Sequence, residues 1–432
     1  MRNRAGQGLA WLVAAALSSP AALAQGTDCS VTGQNLFVRN TLQDIYLWYR
    51  ELPDPNPALF ASPEAYLEAV RYQALDSSFS YVTEAAASDA FFSDSQFIGF
   101  GFGTKLLAAD DLRVTEVYPD GSAAEAGLRR GHRIVEINGR TVADLVATGE
   151  LGSAFGPSEV GVTGRLRYRD LAGTEVEITM TKRLVTIPTV SATRVYDVGG
   201  RRVGYVILRN FVQPSSAALD EAFAQLAASG AGELVLDLRY NGGGLVSVAQ
   251  HLAGLIGGAR TATQVFTRFV HNDKNTFRDS TALFPLPPAA LGLDRVVVIT
   301  TRSSASASEL VVNALRPFLP VTVVGDTTYG KPVGQYGFRF CSKILYPVAF
   351  TARNAAGEGD FFGGIPADCP APDDVDRAFG DPEEGSLAAA LHYLANGTCS
   401  LAAGARARAQ AGSRALRQPH HADGWRQLVG AF

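Results

Sequence analysis

The chain has 432 residues, of which 47% are apolar and 19% charged, with a formal net charge of −4. That length exceeds what one ordinary hydrophobic core holds, so two or three domains are expected. A charge this small and this mixed in sign excludes the basic footprint of a nucleic-acid-binding protein, and no nucleic-acid partner is expected.

The chain opens with Arg2 and Arg4, an apolar stretch from Leu9 to Leu17, then Ser18-Ser19-Pro20 and Ala22-Leu23-Ala24. This is the charged, apolar and small-residue order of a secretory signal peptide covering 1–24, with cleavage after Ala24. The apolar run is too short to span a membrane, so the mature chain is expected to be periplasmic or secreted, with no span. Four cysteines, Cys29, Cys341, Cys369 and Cys399, suit two disulfides in an exported chain and allow three pairings. We expect Cys341 with Cys369, which flank one hairpin region, and Cys29 with Cys399, which would tie the ends of the mature chain together. Their spacings fit no zinc pattern, and no metal is expected.

Residues 25–92 read as a helical packing region. Asn35 to Tyr49 carries Leu36, Phe37, Leu42, Ile45, Tyr46 and Tyr49 at near-helical spacing, and Ser62-Pro63-Glu64 is a helix start. Tyr46, Trp48 and Tyr49 are expected in the core rather than at a ligand. From Phe97 the composition changes. The loop Ile98, Gly99, Phe100, Gly101 and Phe102 is followed by Arg113 to Val117, Pro119-Asp120-Gly121, Ala126-Gly127-Leu128, and Ile134 to Gly139. In that order these residues resemble a PDZ domain of the bacterial protease type, here spanning 93–185. In such domains the Gly-aromatic loop offers N–H groups to a peptide carboxylate and the ligand adds as a strand. His132 stands where such domains usually carry Asp, and the Ala143 to Val162 segment is long. Leu166 to Tyr168 and Val176 to Met180 read as closing strands, and Thr186 to Asp197 as a connector.

Residues 186–398 alternate strand and helix signals, the pattern of a layered α/β domain with ligands at strand ends. Strands are expected at Arg202 to Leu208, Glu233 to Leu238, Ala262 to Val270, Arg295 to Thr300, Val321 to Gly325 and Leu345 to Ala352. Helices are expected at Ala217 to Ala228, capped by Ser215-Ser216, and at Leu245 to Ile256. Two junctions attract chemistry. Asn241-Gly242-Gly243-Gly244 follows a strand, so its backbone can approach a substrate closely. Ser304, Ser306 and Ser308 alternate with alanines between a β-branched run and a helix start, where unpaired N–H groups can hold an oxyanion. Taken alone, such serines are ordinary N-caps.

Together, Asp237 to Gly244, Ser304 to Glu309, Gly325 to Lys331 with Gln335, and Gly364 to Asp368 resemble the carboxyl-terminal processing (tail-specific) protease family of Ser/Lys peptidases. With the PDZ-like region the resemblance covers roughly residues 97–380. It implies a crotonase/ClpP-like layered α/β protease core, with Ser306 as nucleophile and Lys331, 25 residues on, as its base. It further implies that Gln335 orients the amine, and that Gly243 and Ala307 supply oxyanion N–H groups. The family commonly has Asn-Pro-Gly-Gly and Gly-Lys-Gly where this chain has Asn-Gly-Gly-Gly and Gly-Lys-Pro; neither change removes a reacting group. Among the serines, Ser308 takes a cap reading and Ser304 a turn reading. A lysine must be dried to act as a base, and Tyr329 and Val333 flank Lys331. His251 and His271 sit in no glycine-bounded motif and read as structural, and His420-His421 lies in the tail.

Asp376 to Thr398 reads as a closing helix, and 399–432 as an Ala/Arg-rich tail ending in Trp425, Leu428, Val429 and Phe432. The expectation is an exported serine endopeptidase acting on protein or peptide substrates near C-termini or in unfolded segments, without a cofactor. A homo-oligomer or an adaptor protein is left open. Two rivals stand beside it: a catalytically silent peptide-binding protein on the same scaffold, and an acyl-thioester enzyme of crotonase-like fold.

Overall fold

Strand-forming runs between residues 190 and 370 assemble into one six-stranded sheet. Its order is Val190–Val198, Arg201–Leu208, Glu233–Asp237, Val296–Thr300, Val321–Gly325 and Cys369–Pro370. The first pair is antiparallel and the rest are parallel. The computed structural model describes residues 28–401, so the expected signal peptide and the tail from 402 onward, with His420 and His421, lie outside the described residues.

Successive side chains of a strand point to opposite faces, and here both faces are apolar. Val206, Leu208, Leu236 and Val298 enter one core with the helices Ser215–Ala228, Val246–Gly257 and Ala307–Leu315. Tyr205, Ile207, Val235, Val297 and Ile299 enter the other with the helix Gly385–Asn396. Burial on two faces is what turns a parallel strand into a continuous Val/Ile/Leu run, and that made these strands visible in the sequence.

Val190–Val198, expected as a connector, is instead a nine-residue strand paired with Arg201–Leu208. It lies at the sheet edge with a half-exposed face, so its apolar signal is diluted. The run expected as one strand from Leu345 to Ala352 is two, Lys343–Tyr346 and Val348–Arg353, in different sheets. Pro347 stands at the break, where it has no N–H for a ladder.

Residues 96–186 form a six-stranded antiparallel unit in the order Phe102–Ala108, Asp111–Val117, Arg133–Ile137, Thr163–Arg169 and Glu175–Thr181, with the short Arg140–Thr141 paired to Arg133–Ile137 off this path. A short pair, Gln96–Gly99 with Arg183–Thr186, closes its two ends. His132 is buried here, stacked 4.7 Å from Tyr168, with Nδ1 accepting from Arg129 N at 3.3 Å.

The N-terminal helices Val31–Ile45 and Pro63–Val70 bury Val38, Leu42, Tyr46, Tyr66 and Leu67 against Phe340, Leu345 and Val348. Ser62 Oγ accepts from Ala65 N at 3.2 Å, the expected helix start. The region is not wholly helical: Tyr81–Glu84 is a strand paired with Lys343–Tyr346.

The disulfides are Cys29–Cys341 and Cys369–Cys399, with Cα–Cα distances of 5.8 and 5.2 Å, and this corrects the expected pairing. Cys341 sits in the turn of the small sheet that meets the N-terminal helices, whereas Cys369 lies in the end strand of the central sheet. Cysteines in separate layers cannot reach bonding distance. The helix Gly385–Asn396 packs on the face that holds Cys369 and carries the chain back to Cys399. No helix among the described residues is long and apolar enough to cross a membrane.

Candidate functional site

Three neighbouring parallel strands end side by side, at Asp237, Thr300 and Gly325, and the loops leaving them converge. The C-terminal edge of such a sheet is where α/β domains gather polar groups.

The first loop is anchored below by charge. Arg239, fully buried, reaches Asp237 at 2.6 Å, Glu384 at 2.8 Å and Asp373 at 3.4 Å. Burial pushes the Asp237 carboxyl up, but the guanidinium beside it outweighs this and holds it below the usual range. Asn241, also buried, organises the rest. Its Nδ2 donates to Leu208 O at 2.9 Å, its Oδ1 accepts from Gly243 N at 2.9 Å, and its carbonyl accepts from Ala305 N at 3.1 Å and Ser308 Oγ at 2.9 Å.

Those last two bonds tie the glycine loop to the serine turn and separate the three serines. Ser304 Oγ donates to Leu238 O at 2.7 Å and accepts from Thr301 N at 3.0 Å, which makes it a turn residue. Ser308 is inside the helix, and the N-cap is Ser306, so the cap reading of Ser308 is corrected. Ser306 has φ of 54° and ψ of −112°. A serine held there stores backbone strain on a sharp strand-to-helix turn, a geometry that lifts a hydroxyl off a sheet edge.

Gly243 lies directly over this turn. A Cβ at that position would meet Ala305 O and Ser306 Cβ at 2.8 Å and Ala307 N at 2.9 Å, and φ is +103°. Gly243→Ala is therefore expected to push the loop off Ser306 and lower any turnover there by about 10²-fold. Steady-state kinetics beside a thermal melt would separate that loss from unfolding. The Gly243 N–H, expected to serve an oxyanion, is here donated to Asn241 Oδ1 at 2.9 Å. The Ala307 N–H, at the first helical position, has no acceptor among the described residues.

The third loop brings Lys331. Its Nζ donates to Gln335 Oε1 at 2.5 Å. Gln335 Nε2 donates to Phe79 O at 2.6 Å and Tyr346 O at 2.7 Å. With two carbonyls consuming the NH₂, only the amide oxygen can face the lysine. Burial pushes the Lys331 amine down to about 8, against the opposing pull of Asp76 and Glu309. Among the described residues no hydrogen bond joins Ser306 Oγ to Lys331 Nζ. The two segments are joined by Tyr329 N donating to Ser304 O at 2.9 Å and by Glu309, which reaches both residues directly.

Glu309, fully buried, received no role from sequence reasoning. Its Oε2 accepts from Ser306 N and Lys331 N, both at 2.8 Å, and its Oε1 from Gly330 N at 2.7 Å and Thr328 Oγ1 at 2.5 Å. Burial pushes this carboxyl up while the four donors pull it down. Its signal was present in the sequence as Ser-x-x-Glu, the capping-box spacing.

Other expected residues lie apart from this cluster. In the antiparallel unit Gly99, Phe100, Gly101 and Phe102 are buried and Ile98 is half-buried. That loop is braced by Ala123 N donating to Phe100 O at 2.9 Å and Tyr118 N to Gly101 O at 2.7 Å. His251 pairs with Asp220 at 2.8 Å, and His271 with Asp279 at 3.0 Å and Tyr336 OH at 2.9 Å. Among the described residues no group of three or more His, Cys, Asp or Glu side chains is placed to hold a metal ion.

Residues 202–368 match the model of peptidase family S41, residues 33–81 that of the peptidase S41 N-terminal domain, and residues 113–160 that of a PDZ domain. The carboxyl-terminal-processing protease of Synechocystis sp. is 32% identical over 216 residues, covering 49% of this chain and 48% of its own. The chloroplastic C-terminal processing peptidase of Tetradesmus obliquus is 29% identical over 243 residues, covering 52% and 49%. The chain thus spans about half the length of the curated relatives it matches. A crystal structure from Bacteroides fragilis NCTC 9343, of a protein assigned to the S41 proteases, superposes with a TM-score of 0.67 at 26% identity, over 84% of this chain and 97% of that one. With an N-terminal domain, a PDZ domain and a peptidase domain matched in chain order, this chain belongs to peptidase family S41.

Proposed function

We propose that the protein is an exported serine endopeptidase that cleaves polypeptides near their C-termini or in unfolded segments, with Ser306 as nucleophile and Lys331 as general base. The observation that carries this reading is the Glu309 carboxylate. One of its oxygens accepts from both Ser306 N and Lys331 N, so the backbone positions that carry the hydroxyl and the amine are held side by side. An amine near 8 is a base within reach of neutral pH, unlike an ordinary lysine.

In the reaction, neutral Lys331 Nζ takes the proton from Ser306 Oγ as the oxygen bonds to the scissile carbonyl carbon. The oxyanion so formed accepts from Ala307 N–H, and from Gly243 N–H once its bond to Asn241 is released. The ammonium returns its proton to the leaving amine as the C–N bond breaks, and water then hydrolyses the ester. Gln335 is a positioning residue: its oxygen, locked by two carbonyls on its nitrogen, aims the amine.

The proposed division of labour gives 25–92 to the N-terminal region, 93–185 to peptide capture and 186–398 to a crotonase/ClpP-like core. The loop Ile98–Phe102 leaves the Phe100 and Gly101 N–H groups without an acceptor among the described residues, in keeping with capture of a carboxylate. Two disulfides fit an oxidising compartment, periplasmic or extracellular. A peptide ester, acid-quenched during turnover, should leave its acyl group on the proteolytic fragment that contains Ser306, detected by mass spectrometry. Turnover with the acyl group on another residue, or on none, would overturn the mechanism.

A further inference from the structure

The Lys331 amine is not enclosed by the α/β core alone. From the N-terminal unit, the turn Asp76–Ser80 reaches the site at three points. The Phe79 ring lies 5.9 Å from Lys331 Nζ and 6.1 Å from the Tyr329 ring. The Phe79 carbonyl takes one of the two hydrogen bonds that fix Gln335. Ser78 Oγ meets Tyr329 OH at 2.8 Å.

The turn is itself built around one buried carboxylate. Asp76 Oδ1 accepts from Phe79 N at 2.8 Å and Ser80 N at 2.9 Å, and Oδ2 from Ser80 Oγ at 2.5 Å and Tyr46 OH at 2.9 Å. Both hydroxyls are aimed at it, because Val348 N donates to Ser80 Oγ and Tyr72 N to Tyr46 OH. Four donors and no basic side chain in contact is an unusual setting for a fully buried carboxylate. Two cations stand near it: Arg71, whose Nη1 donates to Ser80 O at 3.2 Å, and the Lys331 amine, on which its charge acts from across the turn.

We propose that the turn Asp76–Ser80 is a positioning element of the Ser306/Lys331 site: Phe79 keeps water off the amine and locks Gln335, while Asp76 shapes the turn and supplies a negative charge facing the amine. The inference rests on Lys331 being the base. It makes the N-terminal unit part of the catalytic apparatus rather than a packing module, and the pairing of Tyr81–Glu84 with Lys343–Tyr346 and the Cys29–Cys341 bridge hold it there.

The charged groups around the amine are Asp76 from this turn and Glu309 from the helix Ala307–Leu315. On the lysine's own loop stands Tyr329, whose phenol burial pushes up, with Arg71 and Arg302 as nearby cations. Drying by Phe79 and attraction by Asp76 act on the lysine in opposite senses. Drying favours the neutral base, and a carboxylate favours the ammonium.

Opposite senses give a test that general damage does not imitate. The readout is the ascending limb of the pH profile of kcat/KM on an unfolded protein substrate, measured with the full chain. Phe79→Ala admits water, so the limb is expected to move up by about one unit, with about tenfold less activity at neutral pH and recovery at higher pH. Phe79→Leu should restore most of the wild-type profile. Asp76→Asn keeps an oxygen for Phe79 N and Ser80 N and turns an NH₂ to two hydroxyls that can accept it, so the limb should move down. An unmoved limb in Phe79→Ala, or movement of both variants in one direction, would overturn the inference. If Asp76→Asn does not fold, the Phe79 pair decides alone. Lys331→Ala run alongside separates the two claims: full activity in that variant removes the base itself, whereas an inactive Lys331→Ala with an unmoved Phe79→Ala removes only the role of the turn.

Discussion

Ser306→Ala and Lys331→Ala are each expected to lower kcat/KM on an unfolded protein substrate by about 10⁴-fold or more, and the double variant by little beyond either one. The non-additivity follows from the step they share: without the amine the hydroxyl keeps its proton, and without the hydroxyl the amine has nothing to activate. Lys331→Arg should be as inactive as Lys331→Ala, since a guanidinium does not deprotonate in this range. Activity of the wild type should climb as pH rises through about 8 and fall about tenfold per unit below it, because only the neutral amine is a base. Stability has its own sign. The Lys331 value is depressed in the folded state, so between about 8 and its ordinary 10.5 the unfolded chain binds the proton that the folded chain does not, and stability rises with pH across that window. Substantial cleavage by either alanine variant, with a native-like melt, would remove the dyad.

How much of this was readable in advance depended on distance along the chain. The parallel strands were legible because burial on both faces leaves an uninterrupted apolar run, and the three loops were legible because their glycines, serines and lysine fall at strand ends. Val190–Val198 was not, since one half-exposed edge strand looks like a connector, nor was the break at Pro347, which separates two sheets rather than bending one. The disulfides were misassigned for a related reason: their pairing depends on which layer each cysteine enters, and order along the chain does not carry that. Ser306 could be told from its neighbours only by family pattern; in the structure the Ser304 and Ser308 hydroxyls are both donated to carbonyls. Asp76 had no local signature at all. Its four donors come from its own turn and from Tyr46, and its relation to Lys331 exists only after the N-terminal unit docks.

Glu309 is the opposite case, a residue with a local signature and a long-range job. Glu309→Ala is expected to strip the acceptor from three backbone N–H groups and the Thr328 hydroxyl at once, at a fully buried position, at about 3 kcal/mol or more of stability. Glu309→Gln is not a rescue. Whichever way the amide turns, its NH₂ confronts a backbone donor: Gly330 N on one side, or Ser306 N and Lys331 N on the other. The Thr328 hydroxyl, which itself accepts from Ile365 N at 2.6 Å, is the one partner that can rotate to receive it. We therefore expect the Gln variant to lose about 1–3 kcal/mol in urea-unfolding midpoints and about 10²-fold in kcat/KM, because a shift of about an ångström between Ser306 and Lys331 is enough for that loss. The two losses should separate on conditions. Lowering the temperature or adding a stabilising osmolyte should restore the folded population of Glu309→Gln without restoring its turnover. Recovery of both together would mean that Glu309 serves only the fold, and the link between nucleophile and base would have to be sought elsewhere.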